Sequence, residues 1–212
     1  MEDAALNTDD VRIVEITGID DALLLPWLDL YEVSFPPQER VLVSDHLRVL
    51  IEKADGRARD ACLLAAVNEA GDLIGMIRYH LAPNCRVAHL WYLAVVPDMR
   101  SKGIGAICYN EVRDRARQAG MRAMLFEVDI PELAGSQEAE APARRRIAFY
   151  RRQGAYLLGG IDYMQSIGPH QAPVPMHIMA HPFDAVDPEE AFELARALFG
   201  ESVQQSGVLS LD

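Results

Sequence analysis

Cysteine, long apolar runs and positive charge are what this 212-residue sequence has little of. Its three cysteines, Cys62, Cys85 and Cys108, are too few and too widely spaced for a disulfide framework or a zinc site. No apolar run approaches the ~20 residues that cross a bilayer, and the acidic opening MEDAALNTDD is unlike a secretory signal. We therefore expect a cytoplasmic protein without a membrane span and without a metal ion.

The net charge of −12 comes from 32 acidic and 20 basic residues. Such a balance disfavours nucleic-acid binding, which depends on cations that contact phosphates. It favours a small cationic substrate or a basic peptide, although plain solubility explains the charge equally well. Because half of the residues are hydrophobic, the chain is able to build one compact domain with a sizeable core.

Hydrophobic periodicity predicts an ordered series of strands and helices. Strands are expected over 11–17, 61–68, 73–81, 87–96, 123–128, 156–167 and 174–180, and helices over 23–31, 46–53, 104–119, 143–153 and 188–199. The acidic segment 131–142 has no clear period, so a loop is predicted there, and residues 201–212 are predicted to be a fraying tail. Since no linker or repeat divides the sequence, we expect a single domain over residues 1–212.

The stretch 93–106, LAVVPDMRSKGIGA, carries the chemistry that is easiest to recognise. Pro97 ends a strand because it cannot donate to the ladder. The loop that follows has two cations, Arg100 and Lys102, and two glycines, Gly103 and Gly105, and it leads into a helix. Backbone N–H groups at such a helix start form a cradle for an anion such as a phosphate.

Two other nucleotide sites have similar glycine loops. A Walker loop needs Gly-Lys followed by Ser or Thr, and the order Lys102-Gly103 excludes it. A dinucleotide fingerprint needs a third small residue, where Cys108 stands, and Glu127 falls where a ribose-binding acid would lie. However, that loop should follow the first strand of a βαβ repeat, whereas a long mixed segment precedes it here. A nicotinamide-dependent enzyme therefore stays as an alternative.

Arg100-x-x-Gly103-x-Gly105, after a strand that ends in Val-x-Pro, resembles the acetyl-CoA site of the GNAT superfamily of N-acetyltransferases. Tyr150-x-x-x-Gly154 is similar to the end of a helix of that family, with Ala155 in place of an aromatic residue. The resemblance covers about residues 11–182 and leaves 183–212 as a C-terminal helix and tail. It implies an α+β fold, α/β in some schemes, in which helices flank a mixed central sheet of about seven strands, splayed at the acetyl-CoA site.

The resemblance also implies roles for individual residues. Glu127 is expected to act as the general base, directly or through water, and Tyr150 to protonate the leaving thiolate. Backbone groups of three residues are expected to bind the pantetheine arm: Leu93, Ala94 and Val95. The pyrophosphate is expected on the loop residues Arg100, Ser101, Lys102, Gly103, Ile104, Gly105 and Ala106. Weaker candidates for contacts with the acceptor are Phe35, Glu39, Arg40 and Tyr92.

From this resemblance we expect an acetyl-CoA-dependent N-acetyltransferase in which a primary amine attacks directly within a ternary complex. The acceptor is predicted to be a small cationic amine. A peptide or protein amine is the alternative within this class, and a non-catalytic acyl-CoA-binding module on the same fold is an alternative outside it. Cys108 lies on the apolar face of a helix and is not expected to act as a nucleophile. Assembly as a homodimer is left open.

Overall fold

The computed structural model describes residues 10–57, 60–166 and 172–212. The strands are β1 (Arg12–Ile16), β2 (Ala61–Val67), β3 (Leu73–Ala82), β4 (Val87–Val95), β5 (Ala123–Asp129), β6 (Tyr156–Gln165), β7 (Val174–Pro182) and β8 (Val203–Leu211). The α-helices are α1 (Leu24–Ser34), α2 (Val43–Ala54), α3 (Ile104–Gln118), α4 (Gln137–Arg152) and α5 (Pro188–Phe199). Short 3₁₀ segments occur at Pro37–Glu39, Pro97–Met99, Pro131–Leu133 and Gly200–Ser202.

Within these residues the strands form one mixed sheet of eight strands in the order β1-β2-β3-β4-β5-β7-β6-β8. The predicted α+β class is confirmed, with one strand more than the seven expected. The last predicted residue of β6, Ile167, lies outside the described residues. In the same part of the chain, no helix has the length and apolar composition needed to cross a membrane.

The chain divides into two compact units, the first of which comprises Met1–His80 and Leu90–Arg115. In this unit β1, β2 and β3 pair antiparallel, because the sequence between β2 and β3 supplies a short polar connection, as predicted. Trp27 of α1 is fully buried, and its indole N–H donates to the Leu64 carbonyl at 3.0 Å. This bond satisfies the one polar atom of the largest side chain in that core.

The second unit comprises Leu81–His89 and Ala116–Asp212. In it, β5 pairs antiparallel with β7 along its whole length, and parallel with the start of β4 at three positions, from Val87–Ala123 to His89–Leu125. Helix α5 covers a core that includes Leu125 and Phe192. It begins as its sequence predicts, because the Asp187 carboxylate accepts a hydrogen bond from the Glu190 backbone N–H at 2.8 Å.

The predicted loop over 131–142 is wrong, because α4 already begins at Gln137. Pro142 lies inside the helix, where it removes one backbone hydrogen bond, and the remaining turns still form. Arg144 bonds to Glu140 within α4 at 2.6 Å and to Glu132 of the preceding 3₁₀ segment at 3.0 Å. The segment has no apolar period because the first turns of α4 have exposed and ion-paired side chains instead of a buried apolar face.

The fraying tail predicted for 201–212 is also wrong, because Val203–Leu211 forms β8 and pairs antiparallel with β6. Val203 is buried, and Leu209 and Leu211 pack against the core of the second unit. The polar residues between them had suggested a tail, but on an edge strand they face solvent without cost. The register shifts near Gly160, whose φ is +75°, a conformation that glycine adopts readily.

Candidate active site

The predicted glycine loop lies in the first unit between β4 and α3. Ser101 has φ of 63° and Gly103 has φ of 84°, and backbone in this left-handed region makes consecutive N–H groups converge on one point. Ile104 is 1% exposed and anchors the start of α3 in the core. The Gly103 carbonyl accepts from the backbone N–H of Ala106 at 3.0 Å and of Ile107 at 3.2 Å. The donors that precede these two are therefore left for an anion.

The two cations of this loop, Arg100 and Lys102, are placed where they could contact a bound anion. Arg100 is exposed and its Nε donates to the Val95 carbonyl at 3.2 Å, while Nζ of Lys102 lies 3.8 Å from the sulfur of Met99. Among the residues that the structure describes, neither forms an ion pair. The residues at this helix start therefore fit a pyrophosphate. The Val95 carbonyl, predicted to bind the pantetheine arm, already has one donor and retains one lone pair.

Glu127 of β5 lies at the centre of a buried polar network in the second unit. One carboxylate oxygen is 2.7 Å from Nε2 of His89. The other accepts from the Tyr163 hydroxyl at 3.1 Å and from the Gln165 amide at 3.2 Å. Only 8% of the Glu127 side-chain surface is exposed. Since a carboxylate has about four lone-pair sites, three donors leave it one site for an amine or a water molecule.

The charge state of Glu127 follows from this network. Burial raises its pKa, but the charge and hydrogen bond of His89 and the bonds from Gln165 and Tyr163 together lower the pKa below its usual value. Burial and the nearby Glu127 carboxylate raise the pKa of Tyr163, so that hydroxyl remains a donor. At neutral pH the network therefore holds a carboxylate that is ionised and oriented.

Tyr150 of α4 lies on the opposite face of β5 from Glu127. Its ring centroid is 4.4 Å from that of Phe126, and successive side chains of a strand point to opposite faces. The structure therefore does not bring the two predicted catalytic side chains into contact. Burial raises the pKa of the Tyr150 hydroxyl, and Arg146 opposes this only partly. The hydroxyl is thus protonated at neutral pH and able to donate.

The weaker acceptor candidates are gathered around Tyr92 in the first unit. The Tyr92 hydroxyl donates to the Glu39 carbonyl at 2.9 Å and accepts from the Val41 N–H at 3.2 Å. The Phe35 ring lies 4.7 Å from the Tyr92 ring. Arg40 instead donates to the Glu32 carbonyl at the surface. The structure therefore joins Phe35, Glu39 and Tyr92 in one cluster, and Arg40 turns away from it.

Sequence reasoning missed three members of the Glu127 network: His89, Tyr163 and Gln165. A signal existed for His89, because it is a polar residue within the apolar strand VAHLWYLAV and such a residue needs a buried partner. Tyr163 and Gln165 stand two apart on β6 and share one face. Their partner, however, is set by the order of the strands, which the sequence pattern does not reveal.

Two further observations bear on the chemistry. Burial raises the pKa of the Cys108 thiol to about 12, so this side chain is a poor nucleophile. Within the described part of the chain, no three His, Cys, Asp or Glu side chains are grouped in a way that would hold a metal ion.

The sequence and the fold are similar to those of known proteins. A sequence model of the Acetyltransferase (GNAT) family matches residues 24–155. A search of curated proteins finds no match. A putative acetyltransferase of the GNAT family from Bacteroides thetaiotaomicron is similar in structure with a TM-score of 0.67 and 26% identity, over 89% of this chain and 98% of that one.

Two more distant structures share the fold. A putative GNAT acetyltransferase from Desulfovibrio desulfuricans has a TM-score of 0.57 and 22% identity over 81% of this chain and 98% of its own. A spermidine/spermine N-acetyltransferase from Vibrio cholerae has a TM-score of 0.58 and 12% identity over 90% of this chain and 96% of its own. Since the family match covers more than half of the sequence, this chain belongs to the GNAT family of acetyltransferases.

Proposed function

We propose that this acetyltransferase transfers the acetyl group of acetyl-CoA to the primary amine of a small acceptor by direct attack within a ternary complex. The amine nitrogen bonds to the acetyl carbon, the carbon–sulfur bond breaks, and the ammonium proton and the thiolate each need a partner. The family does not fix the acceptor.

The observation that carries the proposal is the anion cradle at residues 100–106. Left-handed backbone at Ser101 and Gly103 opens a helix of 15 residues, and Arg100 and Lys102 beside it form no ion pair in the described structure. Such a helix start favours negative charge through its N–H groups and dipole. These residues would hold the pyrophosphate of acetyl-CoA, and backbone groups of Leu93, Ala94 and Val95 would bind its pantetheine arm.

Glu127 supplies the acceptor for the amine proton. It is ionised at neutral pH and fixed by three donors, and its remaining lone pair is free to bind the ammonium directly or through one water molecule. A carboxylate with a lowered pKa is a weak base, so the bound ammonium would first lose one proton to solvent and become a neutral nucleophile. Glu127 would then accept the second proton, which leaves the nitrogen as it bonds to the acetyl carbon. The Tyr150 hydroxyl would then donate to the leaving thiolate, since burial keeps it protonated.

The acceptor is proposed to be a small amine that is cationic in solution. The net charge of −12 attracts an ammonium group over several ångströms. Of the acids near the start of α4, Glu138 is exposed, whereas Glu132 and Glu140 are bonded to Arg144. A peptide amine with basic neighbours would be attracted in the same way, and acceptor length separates the two. We further propose that the enzyme acts in the cytoplasm.

The test compares acetyl-CoA with NAD, the ligand expected if the glycine loop were a dinucleotide site. Acetyl-CoA at 100 times its dissociation constant should stabilise the protein by about 2.7 kcal/mol, whereas NAD should leave the melting temperature unchanged. Gly103→Val should abolish the effect of acetyl-CoA, because the new side chain would occupy the place of the phosphate. Gly120→Val is the matched control, since Gly120 also has a positive φ, of 76°, and nothing within 4 Å of an added Cβ.

Both valine variants should lose similar stability, because both strain a left-handed backbone. Only Gly103→Val should lose the response to acetyl-CoA. Stabilisation by NAD and not by acetyl-CoA would overturn the proposal, and so would an unaltered response in Gly103→Val.

A further inference from the structure

Arg78 of β3 is a buried cation that has no counter-ion among the described residues. It is 7% exposed, in the first unit of the chain. Its Nη1 lies 3.0 Å from Nδ1 of His46, and its guanidinium carbon lies 4.4 Å from the centre of the Trp91 ring. Within the described residues it forms no salt bridge. In the same part of the chain, one of its five N–H donors has a hydrogen-bond partner, Nδ1 of His46.

His46 does not balance the charge of Arg78. Burial and the charge of Arg78 lower the pKa of His46 to about 3, so its ring is neutral at physiological pH. Arg78 then donates to the Nδ1 lone pair, and the hydrogen of His46 resides on Nε2. The Asp45 carboxylate is bonded to Arg48 at 2.7 Å. Burial lowers the pKa of Arg78 itself, but a guanidinium remains charged in proteins.

Buried charges are ordinarily paired, because removing an ion from water is costly unless an opposite charge lies beside it. Contact with the Trp91 face offsets part of that cost. The edge of the guanidinium plane, which carries the N–H donors, has no carboxylate beside it in the described structure. A carboxylate matches this edge because its two oxygens can accept two parallel N–H bonds. A ligand that brings a carboxylate would complete the arrangement.

The surroundings of Arg78 are those of the acceptor candidates. His46 lies 6.0 Å from Tyr92 between ring centroids, Trp91 lies 6.1 Å from Tyr92, and Phe35 lies 4.7 Å from Tyr92. The Tyr92 hydroxyl holds the 39–41 segment through two hydrogen bonds. Arg78 therefore belongs to the aromatic cluster in which the sequence had already suggested contacts with the acceptor.

We propose that Arg78 binds a carboxylate of the acceptor, so that the substrate is a small molecule with an amine and a carboxylate, such as an amino acid. This rests on the proposed amine acetylation and narrows it. The acidic protein attracts the ammonium end, while Arg78 selects the opposite end. A simple cationic amine has no group for Arg78 and would leave that charge unpaired in the complex.

The first experiment uses the wild-type protein. Thiol release from acetyl-CoA is measured with matched sets of acceptors that differ only at the end remote from the amine: carboxylate, amide and second amine. The sets cover α-amino acids and straight ω-amino acids of different lengths. In at least one set, the carboxylate should have a KM about tenfold or more below those of the amide and the diamine.

The second experiment varies the cation. Arg78→Gln should raise KM for the best carboxylate about tenfold or more and leave KM for its amide nearly unchanged. Arg78→Lys keeps the charge without the fork and should give an intermediate KM. Arg57→Gln, at an exposed position bonded to Asp55, removes the same charge from the same unit and should change neither KM. A purely structural Arg78 would affect carboxylate and amide alike.

A third measurement tests the inference with the wild-type enzyme alone, in case the Arg78→Gln variant does not fold. Simple carboxylates without an amine should inhibit the wild-type enzyme competitively against the acceptor and not against acetyl-CoA. Equal or better use of amides or diamines, or a parallel loss for all acceptors in the Arg78 variants, would overturn the inference. Stabilisation by carboxylates that depends on Arg78, without any acetylation, would support this site while refuting the proposed acetyl transfer.

Discussion

Glu127→Gln tests two roles of the buried network in the second unit, stabilisation of the fold and acceptance of the amine proton. Glutamine has nearly the same shape, but it has one acceptor oxygen and no charge. In the structure the carboxylate faces His89 with one oxygen and Tyr163 and Gln165 with the other. Oε1 of Gln165 is buried and has no partner within the described residues. That amide is therefore able to flip and accept from the new NH₂ group.

The magnitude follows from these three bonds. Hydrogen bonds to a charged group contribute ~1.5–3 kcal/mol each and neutral ones ~0.5–1.5 kcal/mol. Losing about 1 kcal/mol at each of three bonds predicts that Glu127→Gln lowers the free energy of unfolding by about 3 kcal/mol at neutral pH. Without the flip of Gln165, an unsatisfied buried donor would add to this loss.

The pH dependence has a definite sign. The folded-state pKa of Glu127 is lowered from its usual value, so its stabilising contribution is present above the unfolded-state pKa and is lost as the pH falls through the folded one. The difference between wild type and Glu127→Gln should therefore shrink in acid. For the same reason, the acidic limb of wild-type turnover should lie at a lower pH than the usual pKa of a glutamate.

Two assays test this reasoning. Urea unfolding at several pH values gives the stability difference, and turnover at saturating acetyl-CoA should fall roughly 10²- to 10⁴-fold in Glu127→Gln. Glu193→Gln, at a side chain that is 68% exposed on α5, controls for the lost charge. Turnover and a pH profile equal to those of the wild type would refute the catalytic role. An acidic limb near neutral pH that persists in Glu127→Gln would assign the proton to another base.

Three further predictions concern other parts of the molecule. Tyr150→Phe keeps the ring on Phe126 and should lower turnover roughly 10²-fold equally for every acceptor; full activity would make Tyr150 a packing residue. Gly160→Ala should cost about 2 kcal/mol more in urea unfolding than Gly200→Ala, because both have positive φ but only at Gly160 would a Cβ lie 2.2 Å from the Val208 carbonyl; equal losses would contradict this. Replacing Glu132, Glu138 and Glu140 together by glutamine should raise KM for the amine more than KM for acetyl-CoA, and salt should weaken this effect. An unchanged KM for the amine would count against electrostatic attraction of the acceptor.

Features encoded by neighbouring residues were predictable from the sequence. The start of α5 follows from Asp187-Pro188, where the carboxylate caps a backbone N–H three residues ahead, and its end follows from Gly200 with φ of 68°. The glycine loop is equally local, since its shape depends on the conformations of Ser101 and Gly103 and on the helix that begins beside them.

Features that depend on distant partners were not predictable in the same way. Strand β8 exists because Val203 lies opposite Tyr163 and Leu211 opposite Leu158 on β6, and the polar residues between gave no sign of it. The first turns of α4 were missed because they contain Pro142 and show no apolar period. His89 and Glu127 are 38 residues apart, and only the parallel pairing of β4 with β5 brings them together.

Acetyl transfer is tested most directly by measuring thiol release from acetyl-CoA by the wild-type protein in the presence of amines. Mass spectrometry of the acceptor should show the added acetyl group in the same reaction. Thiol release should depend on the amine, saturate with increasing amine concentration, and fall strongly in both Glu127→Gln and Tyr150→Phe. Binding of acetyl-CoA with no thiol release for any small or peptide amine would contradict this prediction and indicate a non-catalytic acyl-CoA-binding module.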